Sequence, residues 1–248
     1  MNRILFEREE IVNGIATFGG VRAEHVMSVL HGEVGQLLKT GEIDGPIGTS
    51  TIERIVREGV DGWRISVRVD HVVESLRPWI DLILAPPRPR VMKRLLPQLA
   101  TLGVGRIFLV GAEKVEKDFW GATLLKSENY RPLLVDGLMQ GGTSIMPVIE
   151  TRRNFRRFVS DELEAFWPTA RRIVAHPYGA EGTSSSACPA ERSNIVLAIG
   201  PEGGWTDAEV ANLEQHGFTR YSLGPRILRT DTATIALLAQ LMKELSHD

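Results

Sequence analysis

The sequence predicts an α/β protein in which a mostly parallel sheet flanked by helices follows a small β-barrel. Three observations carry this. Up to about residue 74, short extended segments are punctuated by glycines such as Gly14, Gly19, Gly20, Gly32, Gly35, Gly41, Gly45 and Gly48, the turn spacing of a small barrel. Beyond that point apolar runs alternate with amphipathic ones, the rhythm of strand, loop and helix in a parallel sheet. Near the end two glycine-bearing loops each follow an apolar run, and open α/β sheets bind ligands at the carboxyl ends of their strands.

In the first segment, residues 51–56 and 63–69 alternate apolar and polar side chains as half-buried strands do, and a helical stretch over 22–30 interrupts the barrel. A domain boundary is expected between 74 and 75, giving domains 1–74 and 75–248. Residues 80–85 form a buried-strand candidate, followed by Pro86-Pro87 and an amphipathic helix over 91–102 that Gly103 ends. Strand 107–110, helix 131–140, strand 146–149, helix 160–166 and strand 172–176 continue the alternation. The small, polar run 179–189 reads as a surface loop inside the second domain. Residues 194–199 make a central strand that empties into Gly200-Pro201-Glu202-Gly203-Gly204. Thr206-Asp207-Ala208-Glu209 is a capping box opening a helix to His216 that Gly217 closes. Strand 219–224, a loop, and a final helix from about 231 to 245 complete the chain.

Composition narrows the function classes. With 248 residues, 43% apolar, 24% charged and a net charge of −2, the chain is neither disordered nor fibrous, and it has no histone-like coat of positive charge. Glu7, Glu9 and Glu10 precede any apolar run, and nothing approaches the roughly 18 consecutive apolar residues of a membrane span, so a cytoplasmic protein is expected. Cys188, the single cysteine, excludes an intrachain disulfide and a cysteine-rich zinc site, and no metal is expected. An RNA partner needs only a local basic face. Basic residues cluster at Arg88, Arg90, Lys93 and Arg94, at Arg152, Arg153, Arg156 and Arg157, and at Arg171 and Arg172; each cluster also reads as an ordinary solvated edge.

The chain has no Gly-x-x-x-x-Gly-Lys-Ser/Thr phosphate loop and no Gly-x-Gly-x-x-Gly dinucleotide fingerprint. What remains is a pair of loops able to hold a small ligand through main-chain groups, or simply two tight turns of a parallel sheet.

Residues 197–204, Leu-Ala-Ile-Gly-Pro-Glu-Gly-Gly, and 223–233, Leu-Gly-Pro-Arg-Ile-Leu-Arg-Thr-Asp-Thr-Ala, resemble the paired motifs of the RsmE family. These are SPOUT-class methyltransferases of uridine N3 in 16S ribosomal RNA. His25-Val26-Met27-Ser28-Val29-Leu30 and the stretch 99–104 extend the likeness over most of the chain. The resemblance implies a PUA-like RNA-binding barrel and a SPOUT domain with a trefoil knot. It also implies a homodimer, S-adenosyl-L-methionine as cofactor, and 16S RNA of the small ribosomal subunit as substrate. The cofactor would be held by Leu197, Ile199, Gly200, Gly203, Leu223, Gly224, Ile227, Leu228 and Thr232, and RNA by His25, Arg88, Arg90, Lys93 and Gln140.

Methyl transfer from a sulfonium is an in-line displacement that asks the protein chiefly for proximity, and the uracil N3 proton must also leave. Arg229 is the candidate for holding charge on the base or its phosphate, with a partner-subunit contact or a capped carbonyl as its other reading. Glu202 and Asp231 are candidate proton acceptors, although the first could merely brace its turn and the second cap the last helix. His176 either borders the pocket or satisfies a loop carbonyl. His31, Thr101, Met139, Thr143 and Asp231 depart from the family's usual Arg, Glu, Glu, Arg and Glu, on faces expected to meet RNA or the partner subunit. A catalytically silent RNA-binding or ribosome-assembly module, or a SPOUT enzyme with another RNA target, are the competing readings. Ile235, Leu237, Leu238, Leu241 and Met242 give the last helix more apolar surface than one core face needs, which serves either a dimer or ordinary core packing.

Overall fold

The computed structural model describes residues 2–59, 62–178 and 195–245. The loop expected over 179–189, with Cys188, lies outside the described residues. The chain divides into two compact units, 1–77 with 134–146, and 78–133 with 147–248.

The first unit holds β1 (Ile4–Phe6), β2 (Ile11–Val12), β3 (Ile15–Phe18), α1 (Gly20–Ser28), β4 (Leu37–Glu42), β5 (Ile47–Glu58) and β6 (Gly62–Val73). Its six strands are ordered β1-β4-β5-β6-β3-β2, with β1 parallel to β4 and the other ladders antiparallel. No ladder joins β1 to β2 among the described residues, so the sheet is a curled half-barrel. Phe6, Phe18, Ile52, Ile65 and Val67 fill it, closed by Ala23 and Val26 of α1. A register shift between Ile52 and Arg54 marks a bulge in the long β5–β6 ribbon, which increases its twist. Residues 134–146 belong to this unit because Met139 accepts the amides of Asn2 and Arg3 (2.9 and 3.0 Å), and the Ser144 hydroxyl donates to the Gly45 carbonyl (2.6 Å).

The second unit is built from β7 (Ile80–Leu84), α2 (Pro89–Thr101), β8 (Val104–Val110), the start of α3 (Ser127–Gly141), β9 (Val148–Arg152), α4 (Phe155–Asp161), α5 (Leu163–Phe166), β10 (Arg171–Ala175), β11 (Ile195–Ile199), α6 (Asp207–Gln215), β12 (Thr219–Tyr221) and α7 (Thr230–Leu245). Its sheet runs β12-β10-β11-β7-β8-β9 and every ladder is parallel. A parallel sheet covered on both faces reads as continuous apolar strands. β11 obeys this, with all five residues buried against β7 in register from Ile195↔Ile80 to Ile199↔Leu84. In α2, Pro89 opens the helix and Met92, Leu95, Leu96, Leu99 and Ala100 form one buried stripe at helical spacing. Asp81 accepts the Trp167 indole N–H at 2.6 Å and the Arg106 amide at 2.7 Å, while burial pushes its carboxyl above the usual range.

Leu237, Leu238 and Leu241 of α7 are fully buried. Of the two readings of this apolar surface the core therefore takes Leu237, Leu238 and Leu241, and exposed apolar side chains lie just before the helix, at Leu223, Ile227 and Leu228. Among the described residues no helix is long and apolar enough to cross a membrane.

Candidate active site

Two loops at the carboxyl edge of the parallel sheet build the site. The turn 200–204 leaves β11 and enters α6 through the expected capping box: the Thr206 hydroxyl accepts the Glu209 amide, and the Glu209 carboxylate accepts the Thr206 amide at 2.9 Å. The loop 222–229 runs from β12 to α7, where the Thr230 hydroxyl donates to the Gly200 carbonyl at 3.4 Å and ties the two loops together. The segment after β10, His176 to Tyr178, adds a third wall. These enclose a cleft of about 420 Å³, the size of a small-molecule site.

The turn is shaped for close approach. A Cβ at Gly200 would lie 3.0 Å from the Trp205 amide nitrogen, so a side chain there would force the backbone of the turn to give. Neighbouring crossovers brace it from outside. The Lys114 ammonium donates to the Gly203 carbonyl at 2.9 Å, and the Arg88 amide donates to the Glu202 carboxylate at 3.2 Å. Tyr221 donates its phenol to Glu244 at 3.1 Å, and burial followed by the nearby carboxylate raises it above the ordinary tyrosine range.

Of the residues expected at the cofactor, Ile199, Gly200, Gly203, Leu223, Gly224, Ile227 and Leu228 line the cleft. Leu197 lies mid-strand with no exposure. Thr232 lies outside the lining, which instead takes Thr230 and Ala233 from the start of α7. Residues three apart share a helix face and Thr232 falls between them. Ala175, Pro177, Tyr178, Trp205, Tyr221 and Arg226 also line the cleft; the position of β10 beside β11 is the signal that would have found the first three of these.

Among the candidate catalytic groups, Glu202 lines the cleft. Arg229 is exposed and its guanidinium has no partner among the described residues, while its carbonyl accepts the Ala233 amide at 2.7 Å. Asp231 does not reach the lining; its carboxylate pairs with Arg94 at 3.3 Å and accepts the Thr232 amide at 3.0 Å. His176 lines the cleft with its Nδ1 2.7 Å from the Tyr178 carbonyl, so both readings of this residue hold.

The expected RNA contacts divide between the units. In the first, His25 has its Nε2 enclosed without a hydrogen-bond partner, and Gln140 is exposed with its carbonyl accepting from Asn2. In the second, Arg88 pairs with Glu116 at 2.9 Å, whereas Arg90 and Lys93 are exposed and without a partner among the described residues. Two departures from the family pattern do not sit on open faces as expected. Met139 is buried and the Thr143 hydroxyl bonds Ser75 at 3.0 Å. Much of the other basic character is spent internally. Arg152 bridges Glu150 and Glu162, Arg157 pairs with Asp161, Arg171 with Glu244, and Arg172 with Glu164 and two carbonyls.

Comparison with known proteins decides the family. Residues 74–242 match the RNA methyltransferase domain family. The chain is 30% identical over 246 residues to ribosomal RNA small subunit methyltransferase E of Treponema pallidum, covering 98% of this chain and 91% of that protein. The chain belongs to the RsmE family. The RsmE 1 protein of Borreliella burgdorferi is 26% identical over 241 residues, 95% of each chain. A methyltransferase structure from Legionella pneumophila, in complex with SAM, is 27% identical with a TM-score of 0.72, covering 98% of this chain and 97% of that one. The RsmE structure from Neisseria gonorrhoeae shares the fold at 21% identity, with a TM-score of 0.73 and coverage of 98% and 97%.

Proposed function

We propose that this RsmE-family chain transfers the methyl group of S-adenosyl-L-methionine to N3 of a uridine in 16S ribosomal RNA of the small subunit, acting as a cytoplasmic homodimer. The observation that carries the reading is the glycine-built cleft at the carboxyl edge, where both family motifs meet through the Thr230–Gly200 hydrogen bond. The residues present suit the cofactor: Gly200 leaves its backbone bare, Ile199, Leu223 and Leu228 give apolar walls, and the surrounding amides and carbonyls supply polar groups. When bound, S-adenosyl-L-methionine supplies a methyl group on a sulfonium leaving group.

The chain's own residues do the rest. The braced turn fixes orientation, the main requirement of an in-line displacement. Glu202, the candidate carboxylate that lines the cleft, takes the N3 proton, and its side chain is steadied by the Arg88 amide. The exposed guanidinium of Arg229, without a partner among the described residues, meets the negative charge that develops on the uracil. Asp231 is bound to Arg94 and has a structural part at the start of α7.

The curled sheet of the first unit suits the PUA-like RNA-binding role that the family resemblance assigns to residues 1–74, leaving catalysis to 75–248. The tie between α7 and the turn after β11 suits the trefoil knot. Exposed Leu223, Ile227 and Leu228 beside Arg229 supply an apolar surface for a second subunit, and light scattering at micromolar concentration is expected to return a dimer.

The test is transfer of labelled methyl to small ribosomal subunits lacking the modification, with naked RNA and large subunits alongside and nucleoside mass spectrometry on the product. N3-methyluridine in the small subunit is expected. Methyl on another RNA overturns the target, and none on any RNA overturns the enzyme in favour of a silent binding module.

A further inference from the structure

A second cleft, of about 460 Å³, opens on the same edge of the parallel sheet. Gly111 enters it from the end of β8, Arg153 to Arg156 from the end of β9, and Thr206 with Glu209 from the start of α6. Trp205 lines the first cleft and Phe155 the second, and their rings stack at 5.1 Å. That stack is the wall between the two.

We propose that this second cleft binds the phosphodiester backbone of an RNA strand, flanking the nucleotide that enters the first, with Arg153 and Arg156 as the phosphate ligands. The proposal rests on the reading that the chain acts on RNA.

The charges of the basic run 152–157 divide by direction. Arg152 and Arg157 are neutralised by Glu150, Glu162 and Asp161. Arg153 and Arg156 line the cleft and have no carboxylate partner among the described residues. Arg153 is held in place without losing its charge: its guanidinium lies 5.6 Å above the Trp120 ring and gives one N–H to the Trp120 carbonyl at 3.4 Å. The other donors of its planar fork stay available, and that fork matches phosphate oxygens. The Glu209 carboxylate in the lining accepts from the Glu113 amide, the Thr206 amide and the Thr206 hydroxyl at 2.8, 2.9 and 3.1 Å, which ties it to the start of α6 rather than to the arginines. The other lining carboxylate, Glu113, is exposed to solvent.

Spacing fits the same ligand. β9 lies three strands from β11 in the sheet order, and strands sit about 4.8 Å apart. The arginine pair is thus roughly 15 Å along the edge from the turn of the first cleft, a span of a few nucleotides. Phosphate contacts of this kind set the register of a nucleic acid while base contacts specify it.

The experiment measures binding of full-length protein to a fluorescein-labelled single-stranded 12-nucleotide RNA and to a naked 16S transcript across a salt series. Arg153→Ala/Arg156→Ala is expected to lower the slope of log affinity against log salt by about 1.4, about 0.7 for each phosphate on a single strand. KM for RNA should rise about tenfold with kcat and S-adenosyl-L-methionine affinity unchanged, and Arg153→Lys/Arg156→Lys should restore the slope. An unchanged slope and KM overturn the site. If the double variant loses its cooperative thermal transition, Arg156→Ala decides alone, with an expected slope change of about 0.7. A wild type that binds these RNAs with the arginine-dependent slope yet methylates none overturns the activity and supports the site. A wild type that binds neither RNA overturns the site.

Discussion

The carboxylate of Asp231 lies 3.3 Å from the guanidinium of Arg94, so this side chain is held toward α2 rather than facing the cleft that Thr230 and Ala233 of the same turn line. Glu202, on the turn after β11, is the candidate carboxylate that does line it. Asp231→Asn should therefore cost only the 0.2–1 kcal/mol typical of a solvent-accessible pair and leave kcat within about twofold. Glu202→Gln keeps an acceptor for the Arg88 amide but loses the proton acceptor, and kcat should fall by about 10² or more. Single-turnover methyl transfer with both variants separates the two roles.

Arg229 is fixed by its backbone to α7 and its guanidinium has no partner among the described residues. Arg229→Ala should lower kcat by about 10²- to 10³-fold, the scale of losing one preorganised donor to developing charge. Calorimetry should find S-adenosyl-L-methionine affinity unchanged. Normal methylation by this variant would remove Arg229 from the mechanism.

The glycines of the turn should respond unequally. At Gly200 an added methyl meets the Trp205 backbone at 3.0 Å, and backbone cannot yield cheaply; at Gly203 it meets the flexible Lys114 side chain at the same distance. Gly200→Ala should abolish measurable cofactor binding while Gly203→Ala retains it. Equal effects would mean the turn is not the cradle.

The first unit carries a pH dependence of its own. The His71 Nε2 is 2.8 Å from the Thr40 hydroxyl, and burial, then the Arg3 guanidinium, holds its imidazole below the ordinary value of 6.5. A histidine whose folded pKa is depressed binds its proton first in the unfolded chain, so its contribution to stability is present above the unfolded value and lost as pH falls. Urea unfolding should show the wild type losing more stability than His71→Gln between pH 7 and 5. Parallel pH profiles would contradict this.

The second unit was largely legible in the sequence. The capping box at Thr206 and Glu209, the buried strand before Gly200 and the apolar stripe of α2 are local patterns, and local patterns survive without tertiary information. β1 to β4 were not legible one by one, because strands of two to six residues are defined by distant partners, as Ile4 is by Thr40. The same holds for charge. Arg157 has a local signal in Asp161 four residues on and Arg152 one in Glu150, but only the fold brings Glu162 to Arg152 and opens a cleft beside Arg153 and Arg156. Thr232 sits one step of helical phase away from the lining residues Thr230 and Ala233, and the choice between partner and core for the apolar residues of α7 is legible only in the fold, where Leu237, Leu238 and Leu241 are buried.

The sheet order also dictates a timetable. β7 lies inside the sheet, with β8 on one side and β11 on the other, so Ile80 waits for Ile195 before its second ladder exists. A chain emerging from the ribosome therefore releases β7, β8 and β9 well before the strand that completes them, and their uncovered edges and apolar faces are open to mispairing in the interval. Amides Asn2 and Arg3 likewise wait for Met139. Both units thus remain unfinished over a long stretch of translation.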